Sequence, residues 1–208
     1  MALRFLGKTS LANREPLSDG GAPVLEAYAR LREALRQRGE SDAALLLAAP
    51  TVTWSSGSGT RDGSVSWYAE VDGTPQPLVT LAEERRRPLE ERLRRTLARL
   101  GPALADPEIG PLLQRALTIA SPEGIVAVGD RPVLTEWGLV PAGAGLPADP
   151  MEALLASPVG AYLPAAAPSP AAPSPAIQPP PVPSAAIPAA AGVAGVAAAA
   201  EAGRGGVG

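Results

Sequence analysis

Residues 124–138, GIVAVGDRPVLTEWG, are the stretch around which the rest of this chain has to be arranged. Ile125, Val126, Ala127 and Val128 form an apolar, largely β-branched run. Gly129 and Asp130 supply a reversal, and Val133, Leu134, Thr135, Glu136 and Trp137 lead back. Glycine provides the positive φ that a two-residue hairpin turn requires, and aspartate tolerates the next position. Pro132 has no N–H to give to a ladder, which places it at a strand start or on a sheet edge. A hairpin this apolar must pack on other elements.

The preceding chain supplies them. Residues 1–22 mix charge, Ser, Asn and a Gly pair, and read as an irregular lead-in. Val24, Tyr28, Leu31 and Leu35 then share one helical face, with Pro23 suited to the first helical position and Gly39 to the residue just past the end. Residues 45–54 predict a strand, bent at Pro50. Residues 55–63 (SSGSGTRDG) predict a flexible loop, and Val65-Ser66-Trp67-Tyr68 a second strand, so that the two make a hairpin. Thr80-Leu81-Ala82-Glu83 matches a capping box. Leu89, Leu93, Leu97 and Leu100 continue as a helical face, and Pro88 either kinks that helix or starts it. Gly101-Pro102 predicts its end. Asp106-Pro107 opens a further helix with Ile109, Leu112, Leu113, Ala116 and Leu117 on its apolar face. One last helical turn starts at Asp149-Pro150-Met151.

The order α-β-β-α-α-β-β predicts an α+β domain over residues 23–155, with a small antiparallel or mixed four-stranded sheet and helices packed on it. Beyond it the composition breaks. Residues 153–200 contain no charged side chain, and residues 164–188 hold ten prolines. Residues 156–208 therefore read as a disordered Pro/Ala/Gly-rich linker or tail. Its PSPAAPSPAIQPPPVP run has the composition that proline-reading domains bind, although a spacer is the plainer reading.

Several function classes are excluded by what is missing. The chain has no cysteine and no histidine, which removes disulfides, thiolate chemistry, Cys/His metal sites and every Ser-His-Asp or Cys-His arrangement. Lys8 is the only lysine, and it lies near the N-terminus. A formal net charge of −3 gives no whole-chain attraction for nucleic acid or anionic lipid. Nothing has the length of a signal-peptide core or a membrane-spanning helix, so a cytoplasmic chain is expected.

Four groups of residues are the candidates for a site. Trp54, Trp67 and Trp137 fall on predicted strands and are expected in the core; Tyr68 points to the opposite face and is the better surface residue. Arg85, Arg86 and Arg87, with Arg92, Arg94, Arg95 and Arg99, crowd the helix over 83–99. That basic face has the charge for phosphate contacts, but Glu83, Glu84, Glu90 and Glu91 interleave with it and favour a solvated, ion-paired surface. Glu70 with Asp72, and Asp130 with Glu136, are the nearest carboxylate pairs. Neither has a second motif beside it, so no catalytic residue is assigned. Gly57-Ser58-Gly59 lacks the lysine and helix start of a phosphate loop. No cofactor or metal ligand set is expected.

Val65-Ser66-Trp67-Tyr68-Ala69 with Gly73, the charged helix, the stretch VAVGDRPVLTEWGLV and Asp149-Pro150-Met151-Glu152-Ala153-Leu154 together resemble the N-terminal region of SrfA-family proteins, bacterial proteins associated with virulence. The likeness runs from about residue 23 to residue 155. The run from Val128 to Leu139 is similar to the family's VDGKPVITFWGF, with Glu136 and Leu139 in place of aromatics. The resemblance implies a cytosolic interaction domain followed by a proline-rich linker, often with a membrane segment beyond. It also implies partners among SrfB- and SrfC-like proteins and no established catalytic residues. On this reading the chain is a non-enzymatic accessory component of a virulence-associated or secretion-like assembly. Its candidate interaction surface comprises Tyr68, Arg85, Arg86, Arg87 and Glu136, and membrane association would come only through a missing C-terminal part. The alternative is a nucleic-acid-binding module using the helix over 83–99.

Overall fold

A computed structural model describes residues 3–54, 63–145 and 147–164. The expected loop over 55–63 falls almost entirely outside the described residues, as does the proline-rich run beyond Pro164. The fold is α+β, with its strands in several small antiparallel sheets. Strands β1 (Arg4–Ser10), β5 (Ala49–Trp54) and β6 (Gly63–Ala69) form one sheet in the order β1-β6-β5. Strands β7 (Pro75–Pro77), β8 (Ile125–Val128) and β9 (Arg131–Leu134) form a second. Strand β2 (Arg14–Pro16) pairs with β10 (Leu139–Pro141), and β3 (Ser18–Asp19) pairs with β4 (Ala22–Pro23).

The hairpin over 125–134 forms as its residues require. Val128 pairs with Arg131 across Gly129-Asp130, and Gly129 has φ +60°. Pro132 lies in β9, an edge strand. The hairpin does not join the other strand pair in one four-stranded sheet. Each pair instead recruits a third strand from elsewhere, and the two sheets meet at one seam, where Ala48 N–H donates to Leu134 O at 3.0 Å and Leu134 N–H donates to Leu46 O at 2.7 Å.

Helix α1 (Tyr28–Gln37) is followed by the short α2 (Ser41–Ala44), α3 (Glu83–Arg99), α4 (Gly101–Leu104), α5 (Gly110–Leu117) and α6 (Pro150–Ala156). The leucine spacings fall where expected: Leu89, Leu93, Leu97 and Leu100 are buried, as are Ile109, Leu112, Leu113, Ala116 and Leu117. Gly39, with φ +77°, ends α1 in a Schellman motif, since Gly39 N–H donates to Arg36 O and Glu40 N–H to Leu35 O. Asp106 Oδ1 accepts from the N–H groups of Glu108 and Ile109, capping the turn that leads into α5.

Several expectations are corrected. Residues 4–23 are no irregular lead-in: they form β1 to β4. Strand β1 is an edge strand with much of its surface exposed, so it lacks the apolar alternation that marks a half-buried strand. Its ladder with β6 holds it, and an extra residue, Leu6, bulges the register and packs against the core. Pro23 closes β4 and precedes a 3₁₀ turn, Val24–Ala27, so α1 begins one turn later than its pattern suggests. The expected strand over 45–54 begins only at Ala49, because α2 and a turn occupy the residues before it. The capping box does not form: Thr80 Oγ1 donates back to Pro77 O at 2.8 Å, and α3 starts after Ala82. Pro88 lies inside α3 rather than at its start, and Gly101-Pro102 opens α4 rather than ending helical structure, since proline is tolerated in a first turn. The folded region also runs past residue 155. Helix α6 and a 3₁₀ turn over Pro158–Tyr162 follow, with Val159 fully buried and Arg94 stacked 5.3 Å over the Tyr162 ring.

Candidate functional site

The three tryptophans separate in space. Trp67 on β6 is 1% exposed, and its indole Nε1 donates to Thr9 Oγ1 at 2.9 Å. Trp137 is fully buried in the bend between β9 and β10, packs 5.9 Å from Trp67, and donates to Ala48 O at 2.7 Å. Trp54 departs from expectation: it is 53% exposed. Strand alternation places it on the core side of its sheet, with Val52, which pairs with the buried Val65. At the end of β5 it lines an open groove. That groove has a volume of about 840 Å³ and is walled by Leu11, Arg14, Glu15, Pro16, Pro23 and Trp54 among others. Its size falls within the usual range for ligand-binding clefts.

Beside the groove lies a polar knot centred on Glu136. Thr9 Oγ1 donates to Glu136 Oε1 at 3.2 Å and Ser121 Oγ to Oε2 at 3.4 Å, while the Arg14 guanidinium lies 3.7 Å from Oε2. Arg14 therefore serves two places at once, lining the groove and neutralising Glu136. Arg14 Nε is shielded from water and has no acceptor among the described residues. Glu136 has φ +56°, the one non-glycine residue with positive φ among the described residues, a conformation that costs an L side chain about 1–2 kcal/mol. Backbone held in a sparsely populated region persists only where its surroundings over-determine it. Here three side chains and the β9–β10 bend do so.

The expected site residues are not brought together. Glu136, anticipated at an outward surface, is mostly covered and tied inside the knot. Tyr68 is half-buried on the outer face of its sheet, edge-on to the exposed Phe5 at 5.6 Å. Arg85 is exposed on α3 and, among the described residues, reaches only Gln76, at 3.5 Å. Arg86 and Arg94 both pair with Glu90, Arg95 pairs with Glu91, Arg92 with Asp130, and Arg99 with Glu40 and Asp42. Arg87 has no carboxylate partner among the described residues. Of the four interleaved glutamates, Glu90 and Glu91 form intrahelical pairs, while Glu83 and Glu84 have no cationic partner among the described residues and Arg92 and Arg99 pair with other elements.

The carboxylate pairs also separate. Glu70 accepts from Arg32 at 2.8 Å, and the Arg92–Asp130 contact at 3.1 Å ties α3 to the hairpin turn. The Arg38 guanidinium and two backbone N–H groups hold the Asp106 carboxyl below the ordinary aspartate range, while burial pushes the Tyr28 and Tyr162 phenols up. The bond to Glu70 raises Arg32 further. Among the described residues no three acidic side chains converge as a metal site, and no helix is long and apolar enough to cross a membrane.

The groove and the knot are what residue-by-residue reading missed. Thr9, Arg14, Leu11 and Pro16 all come from the stretch read as a lead-in. The available signal was Trp54 itself, a large aromatic placed at a strand end beside a Gly/Ser loop. No protein family, curated protein or solved structure matches the chain.

Proposed function

We propose that this chain is a non-enzymatic protein-interaction domain, and that the groove beneath Trp54 is its docking face. The observation carrying this reading is the exposure of Trp54 at the mouth of that groove, while Trp67 and Trp137 are packed away. Large aromatics that leave the core for a groove rim are the residues that dominate interface energetics. The titratable side chains support the same reading. Glu70, Asp106 and Asp130 are each taken up by one arginine that ties separate elements together, an arrangement suited to holding a fold.

The resemblance of residues 23–155 to SrfA-like N-terminal regions supports placing the domain as an accessory component of a bacterial virulence-associated or secretion-like assembly, with SrfB- or SrfC-like proteins as partners. Affinity capture from native lysate tests the reading, with the full chain and its W54A variant as baits at low and high salt. Polypeptides held by the full chain at both salts and lost in W54A support it. Nucleic acid recovered alone and released by salt would make the arginines of α3 the working surface instead.

A further inference from the structure

The groove's chemistry narrows what it would hold; the inference rests on the docking-face reading above. Its apolar lining includes Leu11 and three ring-bearing, rigid residues, Trp54, Pro16 and Pro23. Ring faces of this kind suit a ligand that is itself rigid. A proline-rich segment in the polyproline II conformation fits, because its backbone is ordered before binding and its prolines stack on aromatic rings. Such a ligand offers backbone carbonyls and few N–H groups, so the groove must donate. The guanidinium of Arg14 and the hydroxyl of Ser18 line it and supply donors.

Charge selects further. Arg14 is neutralised by Glu136 at 3.7 Å, whereas Glu15, exposed at the groove, has no cationic partner among the described residues. Among the described residues, the groove thus has a negative charge without a counter-charge beside its apolar wall. A ligand complementary to it carries a lysine or arginine next to its prolines. This chain's own proline-rich run does not qualify, because residues 153–200 contain no charged side chain. We propose that the Trp54 groove binds a proline-rich segment of a partner protein, in polyproline II conformation, with a basic residue flanking the prolines.

The test uses two fluorescein-labelled synthetic peptides, titrated against the full chain by fluorescence anisotropy. One is a proline-rich peptide with a single flanking arginine, and the other is an uncharged copy of residues 168–183. Saturable binding of the basic peptide is expected, weakened about tenfold or more by W54A. E15Q is expected to weaken it about threefold at low salt and to have little effect at high salt, since an exposed ion pair is screened. F5A, on the opposite face of the same sheet, leaves binding unchanged and controls for folding. Binding of the uncharged copy as tightly as the basic peptide, or indifference of the basic peptide to W54A, overturns the proposal. If neither peptide binds while W54A still abolishes protein capture, the docking face stands and the ligand class is wrong. If W54A changes neither assay, both readings fall.

Discussion

Replacing Trp137 is a severe perturbation of the packing. The indole is fully buried, 5.9 Å from the Trp67 ring and 6.1 Å from the Tyr28 ring. Burying an aromatic side chain of about 200 Å² contributes roughly 5 kcal/mol at about 25 cal/mol/Å², part of which alanine retains. The Nε1–H bond to Ala48 O, at 2.7 Å, adds a second cost. Removing the donor leaves a buried carbonyl unpaired, which costs about 1–3 kcal/mol. W137A should therefore destabilise by about 4–5 kcal/mol, the upper part of the range for large-to-small core changes. W137F keeps most of the apolar volume but strands the same carbonyl, and should lose about 1–3 kcal/mol. Ala48 also donates to Leu134 at the seam between the two main sheets, so the indole braces the junction as well as filling space. Urea unfolding followed by far-ultraviolet circular dichroism reads the effect. With a slope of about 2 kcal/mol/M, the W137A midpoint falls by about 2 M. W54A is the internal control and should lose no more than about 1 kcal/mol, as surface changes usually do. A W137A midpoint within experimental error of W54A would refute the core role argued for Trp137.

The positive φ of Glu136 predicts that glycine is the better truncation there: E136G and E136A both lose the bonds from Thr9 and Ser121, but only E136G escapes the strain, so it should be the more stable by about 1 kcal/mol. Equal melting temperatures for the two variants would contradict that account. A chain ending at residue 155 should be less stable than one ending at residue 164 by about 2–3 kcal/mol, because it loses the fully buried Val159; identical unfolding curves would return the boundary to residue 155. Asp106 has a folded-state pKa below its unfolded one, so its ionised form adds stability that is fully present above the unfolded value and disappears as pH falls through the folded one. D106N, which preserves a capping side chain, should therefore be less stable than the parent at neutral pH and converge with it under acid; a gap that persists at low pH would assign the loss to something other than charge.

Local periodicity explains what was readable. The leucines of α3 and α5 define their buried faces without help from distant residues, and Gly129 and Gly39 mark reversals that only the backbone demands. The unread elements depend on partners far away in the chain. Strand β7 begins and ends with proline and exists because Gln76 and its neighbours lie against Ala127 and Val128. The short β2 has no recognisable pattern and is defined by its pairing with β10. The same holds for the site. Thr9 and Glu136 are 127 positions apart, and nothing near either predicts their bond. Trp54 has the composition of a core residue, and only the place where the core ends makes it a surface one.

Glu136 connects these observations to the groove. It holds a backbone conformation that disfavours any side chain with a Cβ. Its carboxylate is also what neutralises Arg14, 3.7 Å away on the groove wall. Were position 136 aromatic, Arg14 would lose this counter-charge, and the groove would present a cation beside Glu15 instead of a lone anion. The charge that the groove offers a ligand is therefore set from behind its wall, by a residue that does not line it. On the docking-face proposal, specificity would depend on the β9–β10 bend as much as on Trp54, Pro16 and Pro23. Partner choice should accordingly respond to substitutions at Glu136 even though no ligand in the groove need touch it.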